Sequence, residues 1–485
     1  MRENSTKFIW LLALYFLLSL AVRVALSGGL ELDESEQLLL TQVPRLGYGP
    51  QPPLYMWLQY LVFVLFGTSI FSLSILKNTL LFVFFTNMYF ISRKILGDDR
   101  GAKIAVLSLF LSPQFGWEFH RTLTNTVLAT AMATIFVIIV LRIRKKPTAL
   151  LYILLGCVAG LGILGKYNFA LLLAAMLVSG LTLAEWRPFV LNWRILLSAV
   201  FGTLVSIPHF LWVLGHVEQA AAFSTKLEIS DGPVLLIYGQ GVMKLLMASV
   251  GLFWPFLFVY FFLFLTTRRT GSSTAGADAG IVALLGRTIL ITLLLCLAIV
   301  FATHLTRFND RWLAPLLFFV PIYLVYLLKS RITPGRYLTF VTLSAAGMVL
   351  ILVISPGRVL LASKTGKALR NNYPYAALAG SLREAGFDGG NIIAQNHRVG
   401  GNLRLYFQGS SVNVPGRPAV PLLDSRPFLV VWDATDDESI PGNLLEYGVN
   451  LTGQQMESLE PSRVEAPMLY FKEKAMRLGY YIIAR

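Results

Sequence analysis

The 485-residue chain is 55% hydrophobic and 14% charged, with a mean hydropathy of +0.65. That balance excludes an ordinary soluble domain, because several apolar runs reach the roughly 20 residues that cross a hydrocarbon core of about 30 Å as helix. A formal charge of +15 might suggest a nucleic-acid partner, but the basic residues lie along the flanks of apolar runs, so no nucleic acid is expected. Cys157 and Cys296 fall inside apolar segments without ligand spacing and point to neither a disulfide framework nor a metal site.

Read in order, the pattern predicts a polytopic α-helical membrane protein of about eleven transmembrane helices. They lie near 7–27, 72–92, 103–117, 123–141, 148–164, 168–185, 195–215, 243–266, 287–303, 312–328 and 336–355. The first run is long and meets Arg23 before any cleavage site, so it reads as an uncleaved anchor. Directly after it, Glu31, Asp33, Glu34 and Glu36 place four carboxylates within six residues of a chain holding only 26 acidic groups. Acids beside a bilayer are expensive and mark a functional site by default, although a helix N-terminus also attracts them. Leu54–Phe66, between Pro52-Pro53 and Gly67, is apolar but too short to span and reads as an interfacial helix.

Further on, Thr270–Gly280 is rich in Gly, Ala, Ser and Thr and reads as a cytoplasmic linker. After Pro356 the spanning runs stop. Helical periodicity over Tyr375–Ala385 and strand-like runs at Asn391–Gln395, Ser411–Val414, Pro427–Trp432 and Tyr480–Ala484 predict a C-terminal α/β domain. The expected division is a membrane domain over 1–355, with an outer loop at 28–71, and an extracytoplasmic domain over 356–485. Within that last domain His397, Asp433, Asp436 and Asp437 show no ligand spacing, and the lone histidines elsewhere form no metal box.

With the N-terminus inside, 18 basic residues flank the inner ends of the helices and 9 the outer ends, which satisfies the positive-inside rule. The outer set is Arg23, Arg45, Lys77, Arg121, Lys166, Lys226, Lys244, Arg307 and Arg311. Each of these opposes the bias and is either kept for a purpose or snorkels to lipid headgroups.

Motifs now join the composition. The acidic pair after the first helix, Gly47-Tyr48-Gly49, Pro52-Pro53-Leu54-Tyr55-Met56-Trp57, Gly160–Phe169 and Asp310–Pro315 occur in an order that resembles the GT-C integral-membrane glycosyltransferases. Within that class they resemble the protein mannosyltransferase and aminoarabinose (and galacturonosyl) transferase lineage, and they cover most of the first 330 residues. The resemblance implies transfer of a sugar, with inversion, from a polyprenyl-phosphate donor. The expected acceptor is extracytoplasmic: lipid A, lipopolysaccharide core, another envelope glycan or a protein. It implies a bacterial-type inner membrane location with the site on the outer face.

Such transfer needs a base for the acceptor hydroxyl and cations for the departing phosphate. The resemblance assigns the base to Asp33, with Glu34 orienting the loop or substrate. Lys166 and Arg311 lie in the motifs and are the first candidates for the phosphate; Lys77, Arg307 and Tyr167, beside Lys166, come next. Tyr48, Gln51, Glu118, His120, Asn125 and His304 are candidate acceptor or loop contacts. Related enzymes often carry an Asp where this chain has Thr124-Asn125, which puts a second carboxylate in doubt unless Glu118 replaces it. The residues single out no cofactor, although Asp33 and Glu34 could hold a divalent cation with the phosphate. The alternative is a polytopic lipid or solute transporter, which would place its charges along a mid-membrane path rather than at one face.

The orientation is directly testable. A single cysteine at Asp437 should react with a membrane-impermeant thiol reagent in intact spheroplasts, and one at Ala275 should not. The reverse pattern would invert the topology.

Overall fold

The computed structural model describes residues 2–221, 233–266, 276–455 and 460–484. Lys226 and residues 270–275 of the expected linker lie outside them. Of the remainder of that linker, Asp278 accepts from the Ile281 amide and caps a helix beginning at Ala279.

Among the described residues seven helices are long and apolar enough to cross a membrane. They are Ser5–Leu26, Ile70–Leu96, Thr124–Lys145, Ile195–Gly215, Val234–Leu265, Ala279–Thr303 and Pro334–Leu360. Asp310–Leu317 and Val320–Arg331, bent by 63°, make an eighth if taken as one span. The other three expected spans are helical but short: Asp99–Phe110 has 12 residues, Ala149–Gly165 has 17 and Phe169–Thr182 has 14. At 1.5 Å per residue a 12-residue helix reaches only about 18 Å. Hydropathy had carried the first of them to residue 117, but Ser112-Pro113 ends it and starts a separate π-type turn, Pro113–Glu118. Leu54–Phe66 is a 13-residue helix, as its bounding prolines and glycine imply.

The chain forms two compact units: residues 1–17, 49–55 and 77–351 in one, and 18–48, 56–76 and 352–485 in the other. The acidic segment and most of the outer loop therefore group with the C-terminal residues.

In the first unit, helices pack through small residues, as membrane helices do where no hydrophobic force separates them from lipid. A Cβ on Gly156 would stand 2.3 Å from the Ser198 carbonyl oxygen, and one on Gly160 would stand 2.6 Å from that of Gly202. Ser198 Oγ also donates to the Tyr152 carbonyl at 2.6 Å, so two backbones meet along one seam. Phe84, Phe85, Phe110, Phe115 and Phe119 fill the buried centre with edge-on and stacked rings.

The second unit carries a five-stranded sheet of order β2-β1-β3-β5-β4. The strands are β1 (Asn391–Ala394), β2 (Ser411–Asn413), β3 (Phe428–Asp433), β4 (Ser462–Met468) and β5 (Phe471–Ile483). β1 runs parallel to β2 and β3, and β5 is antiparallel to β3 and β4. Alternation sends Ile392, Leu429 and Val431 to one face and Ile393, Val430 and Trp432 to the other. The first face is covered by helices Tyr375–Glu384 and His397–Tyr406 and also takes Leu39, from the helix that carries the acids. Both β4 and the helix His397–Tyr406 escape a sequence reading. β4 is a largely exposed edge containing Pro467, and the helix holds Gly400-Gly401, which lower its propensity.

Candidate functional site

The acids lie on helix Leu32–Leu40, with Glu31 at its N-cap and Asp33 and Glu34 in its first turn. Glu34 is 4% exposed and fully engaged. Its Oε1 accepts from Arg23 Nε at 2.9 Å, and its Oε2 accepts from Arg23 Nη2 at 2.5 Å and from the Glu31 amide at 2.9 Å. Arg23 also donates to the carbonyls of Ser27 and Gly29 at 3.1 and 2.9 Å. This is the two-pronged guanidinium–carboxylate geometry that gives the strongest charged contacts, and it fixes the start of the helix. Asp33, one residue earlier, is half-buried. Among the described residues no three His, Cys, Asp or Glu side chains form a ligand set.

The C-terminal segments hold the same loop residue by residue. Tyr470 donates to the Leu26 carbonyl (3.0 Å), Tyr406 to that of Gly28 (3.2 Å) and Asn371 to that of Gly29 (3.1 Å). The Leu30 amide donates to Asn402 Oδ1 at 3.1 Å. A Cβ on Gly401 would stand 2.2 Å from the Ser35 carbonyl oxygen, so glycine is required where the two helices cross. Arg370 faces Glu31 at 3.7 Å and Arg417 pairs with Glu36 at 2.9 Å. His397 sits in this cluster. Burial holds its pKa below the ordinary value; Glu36 opposes that, and Arg417, Arg398 and Arg370 reinforce it. Sequence reasoning missed Arg370, Arg398 and Arg417 and set His397 aside for lack of ligand spacing, since none lies near the acids in the chain.

Tyr48 is buried in the same unit, where its hydroxyl accepts from the Arg45 amide and donates to the Val43 carbonyl. It shapes the loop from within.

The candidate cations belong to the other unit. Lys166 Nζ donates to Thr126 Oγ1 at 2.7 Å and to the Arg311 carbonyl at 3.3 Å. Asn168 Nδ2 donates to the Trp312 carbonyl at 2.6 Å. The two motif turns expected to work together are thus in contact, with the start of helix Thr124–Lys145 between them. Asn125 on that helix bonds Gln51 side chain to side chain. Leu123, just before it, adopts φ +66°, an uncommon conformation for a branched residue. Arg307 and Arg311 are exposed. Tyr167 points elsewhere: its hydroxyl meets His209 Nε2 at 2.8 Å.

Lys77 is 5% exposed and donates to the Arg121 carbonyl at 3.0 Å. Glu118 pairs with Arg121 at 3.4 Å. His120 turns inward, stacked on Phe16 and edge-on to Tyr15, with both ring nitrogens out of solvent and without a well-formed hydrogen bond. Burial, and after it the Lys77 charge, lowers its pKa to about 3. His304, at φ +53°, ends helix Ala279–Thr303 and contacts the Tyr238 hydroxyl at 3.2 Å.

Comparison with known proteins bears on what this arrangement does. Residues 50–212 match the family model described as dolichyl-phosphate-mannose-protein mannosyltransferase. The lipopolysaccharide core galacturonosyltransferase RgtB of Rhizobium johnstonii is 33% identical over 99% of this chain and 98% of its own. RgtA of the same organism, also named a lipopolysaccharide core galacturonosyltransferase, is 32% identical over 89% of this chain and 88% of its own. In structure the chain is similar to ArnT from Cupriavidus metallidurans, with a TM-score of 0.61 in the apo state and 0.58 in the undecaprenyl phosphate-bound state. Both comparisons cover 98% of each chain at 14% identity, which speaks to the fold alone.

The Arg23–Glu34 pair should behave as a structural latch. Arg23→Leu leaves Glu34 buried without its partner and should destabilise the protein by about 3–5 kcal/mol, more than Glu34→Gln, which leaves a neutral amide. Thermal unfolding of the purified variants checks the order; an unchanged melting temperature in Arg23→Leu would remove the latch.

Proposed function

This chain belongs to the GT-C membrane glycosyltransferases, in the family of the lipopolysaccharide core galacturonosyltransferases, and from that membership we propose its reaction: galacturonic acid moves from a polyprenyl phosphate to a sugar of lipopolysaccharide core. The proposed setting is the outer face of a bacterial inner membrane, with residues 356–485 outside the cytoplasm, as the positive-inside count favours. The observation that carries the assignment of roles is the division of labour between adjacent carboxylates. Glu34 is committed to Arg23 and the Glu31 amide, and the family resemblance assigns the base to the neighbouring Asp33, half-buried in the same turn.

In the proposed reaction Asp33 takes the proton of the acceptor hydroxyl as its oxygen attacks the anomeric carbon. The bond from that carbon to the phosphate oxygen breaks, and the polyprenyl phosphate leaves with the electron pair. Attack from the side opposite the leaving group inverts the centre. Lys166 and Arg311, on turns that touch, are assigned to the phosphate, where charge grows as the bond breaks. Lys77 and Arg307 are assigned supporting positions in the same field. Glu34 acts through the loop as a positioning residue. Gln51 and Asn125, a neutral amide pair, are assigned to substrate hydroxyls in place of a second carboxylate.

Two measurements test these roles. Asp33→Asn keeps size and polarity but removes the base, so transfer by the purified enzyme from polyprenyl-phosphate galacturonic acid should fall by at least about 10²-fold. Activity within a few-fold of wild type would move the base elsewhere. Lys166→Ala and Arg311→Ala should each lower kcat/KM by a few kcal/mol equivalent per folded molecule, with Arg311→Lys recovering only part. Normal kinetics in both alanine variants would return these residues to structural or membrane-anchoring roles.

A further inference from the structure

The second unit contains a cleft of about 510 Å³ that the acid loop does not line. It opens at the N-terminal ends of the parallel strands, where the segments entering β1, β2 and β3 meet. Its wall is polar, with Arg383, Arg426, Asp424, Gln408 and Ser410 around Tyr406. Its volume is in the range of sites that enclose small ligands. Arg383 is held flat: it donates to the Tyr406 carbonyl at 2.6 Å and lies 4.8 Å over the Phe407 ring. Its pairing with Asp388, at 3.6 Å, involves a carboxylate 92% exposed and is correspondingly weak. A planar guanidinium in that state suits a carboxylate or phosphate, and the surrounding amide and hydroxyl groups suit sugar hydroxyls.

The place of the cleft narrows the ligand. Gln408 Nε2, on its rim, donates to the Thr68 carbonyl at 2.9 Å. Thr68 follows the helix Leu54–Phe66, whose Leu61, Val64, Leu65 and Phe66 are exposed, and precedes the span that begins at Ile70. A helix exposing such side chains lies in the lipid–water interface. The rim is therefore fastened next to the level at which lipid headgroups lie. We propose that this cleft is an acceptor subsite that takes an acidic sugar, carboxylated or phosphorylated, of a membrane-anchored glycolipid. The subsite rests on the transferase reading above and adds to it a docking point separate from the reacting groups.

Wild type, Arg383→Ala/Arg426→Ala and Gly409→Trp would be purified in full length and placed in nanodiscs with and without anionic phospholipid. Each is assayed with polyprenyl-phosphate galacturonic acid and a lipopolysaccharide-core glycolipid. Gly409, which lines the cleft, has nothing within 4 Å of where its Cβ would stand, so a tryptophan there starts in open space and is expected to occupy the cleft. Both variants should raise the acceptor KM by at least about tenfold, the loss expected for a charged contact. Donor KM and kcat at saturating acceptor should stay within about twofold. Acceptor KM unchanged in Gly409→Trp, or a donor KM raised by the same factor, would overturn the subsite while leaving the transferase reading intact. An effect confined to discs containing anionic phospholipid would show that the cleft takes a phospholipid headgroup instead and would also overturn it. Absence of transfer by the wild type would remove both readings.

Discussion

Arg23 stands in the last turn of a membrane helix, where a guanidinium in hydrocarbon is costly and must find partners. It finds four in the next eleven residues: both oxygens of Glu34 and the carbonyls of Ser27 and Gly29. The consequences reach beyond the ion pair. The chain must turn back at once on leaving the membrane, and the following helix must begin at Leu32. Glu34 is thereby tied to a structural partner, because protonating it would leave the buried Arg23 charge uncompensated. Glu34, expected from the sequence to orient the loop or substrate, holds the start of its helix through Arg23.

A loop held only by one ion pair would still be mobile beyond it, and the helix and turns of the C-terminal segment remove that freedom. The side chains of Tyr470, Tyr406, Asn371 and Asn402 satisfy backbone groups at Leu26, Gly28, Gly29 and Leu30, which would otherwise depend on water. Gln42 extends the same logic to the sheet: its amide exchanges two hydrogen bonds with Val412 on the edge strand β2, at 2.9 and 2.8 Å. An exposed edge is a pairing hazard, and here the side chain that blocks it comes from the acid-bearing segment. The C-terminal residues are therefore part of the same folding unit as Asp33, not an appendage with a separate task.

Much of this was legible in the sequence and some of it could not be. Long apolar runs, the helix at residue 375 and the hydrophobic strands rest on local patterning, and they appear where patterning puts them. The short membrane helices mislead because hydropathy is blind to a stop such as Ser112-Pro113. Helix His397–Tyr406 carries two glycines that argue against it locally; Gly401 is there because the Ser35 backbone approaches too closely for a side chain. That reason lies 366 residues away and leaves no local signal. The same holds for Arg370 and Arg417, whose partners Glu31 and Glu36 are equally remote. Of the candidate cations, the positive-inside imbalance picked out Lys77 and Lys166 without showing what they touch.

What they touch changes the meaning of that imbalance. Lys77 donates to the Arg121 carbonyl, Lys166 to the Arg311 carbonyl and Arg45 to the Ala419 carbonyl. All three cations, expected from the sequence on the outer side, thus serve as donors to backbone carbonyls. A carbonyl partner neutralises little of a lysine's charge. If the proposed donor phosphate docks at an ammonium held in this way, it meets a field set in advance and little has to reorganise. Structural attachment and phosphate stabilisation are then compatible in one residue. Lys166 shows why: the contacts that join its turn to those of Thr126 and Arg311 also hold its charge still. A snorkelling lysine has the same charge but no fixed position, and only a fixed one stabilises a charge that develops at one atom.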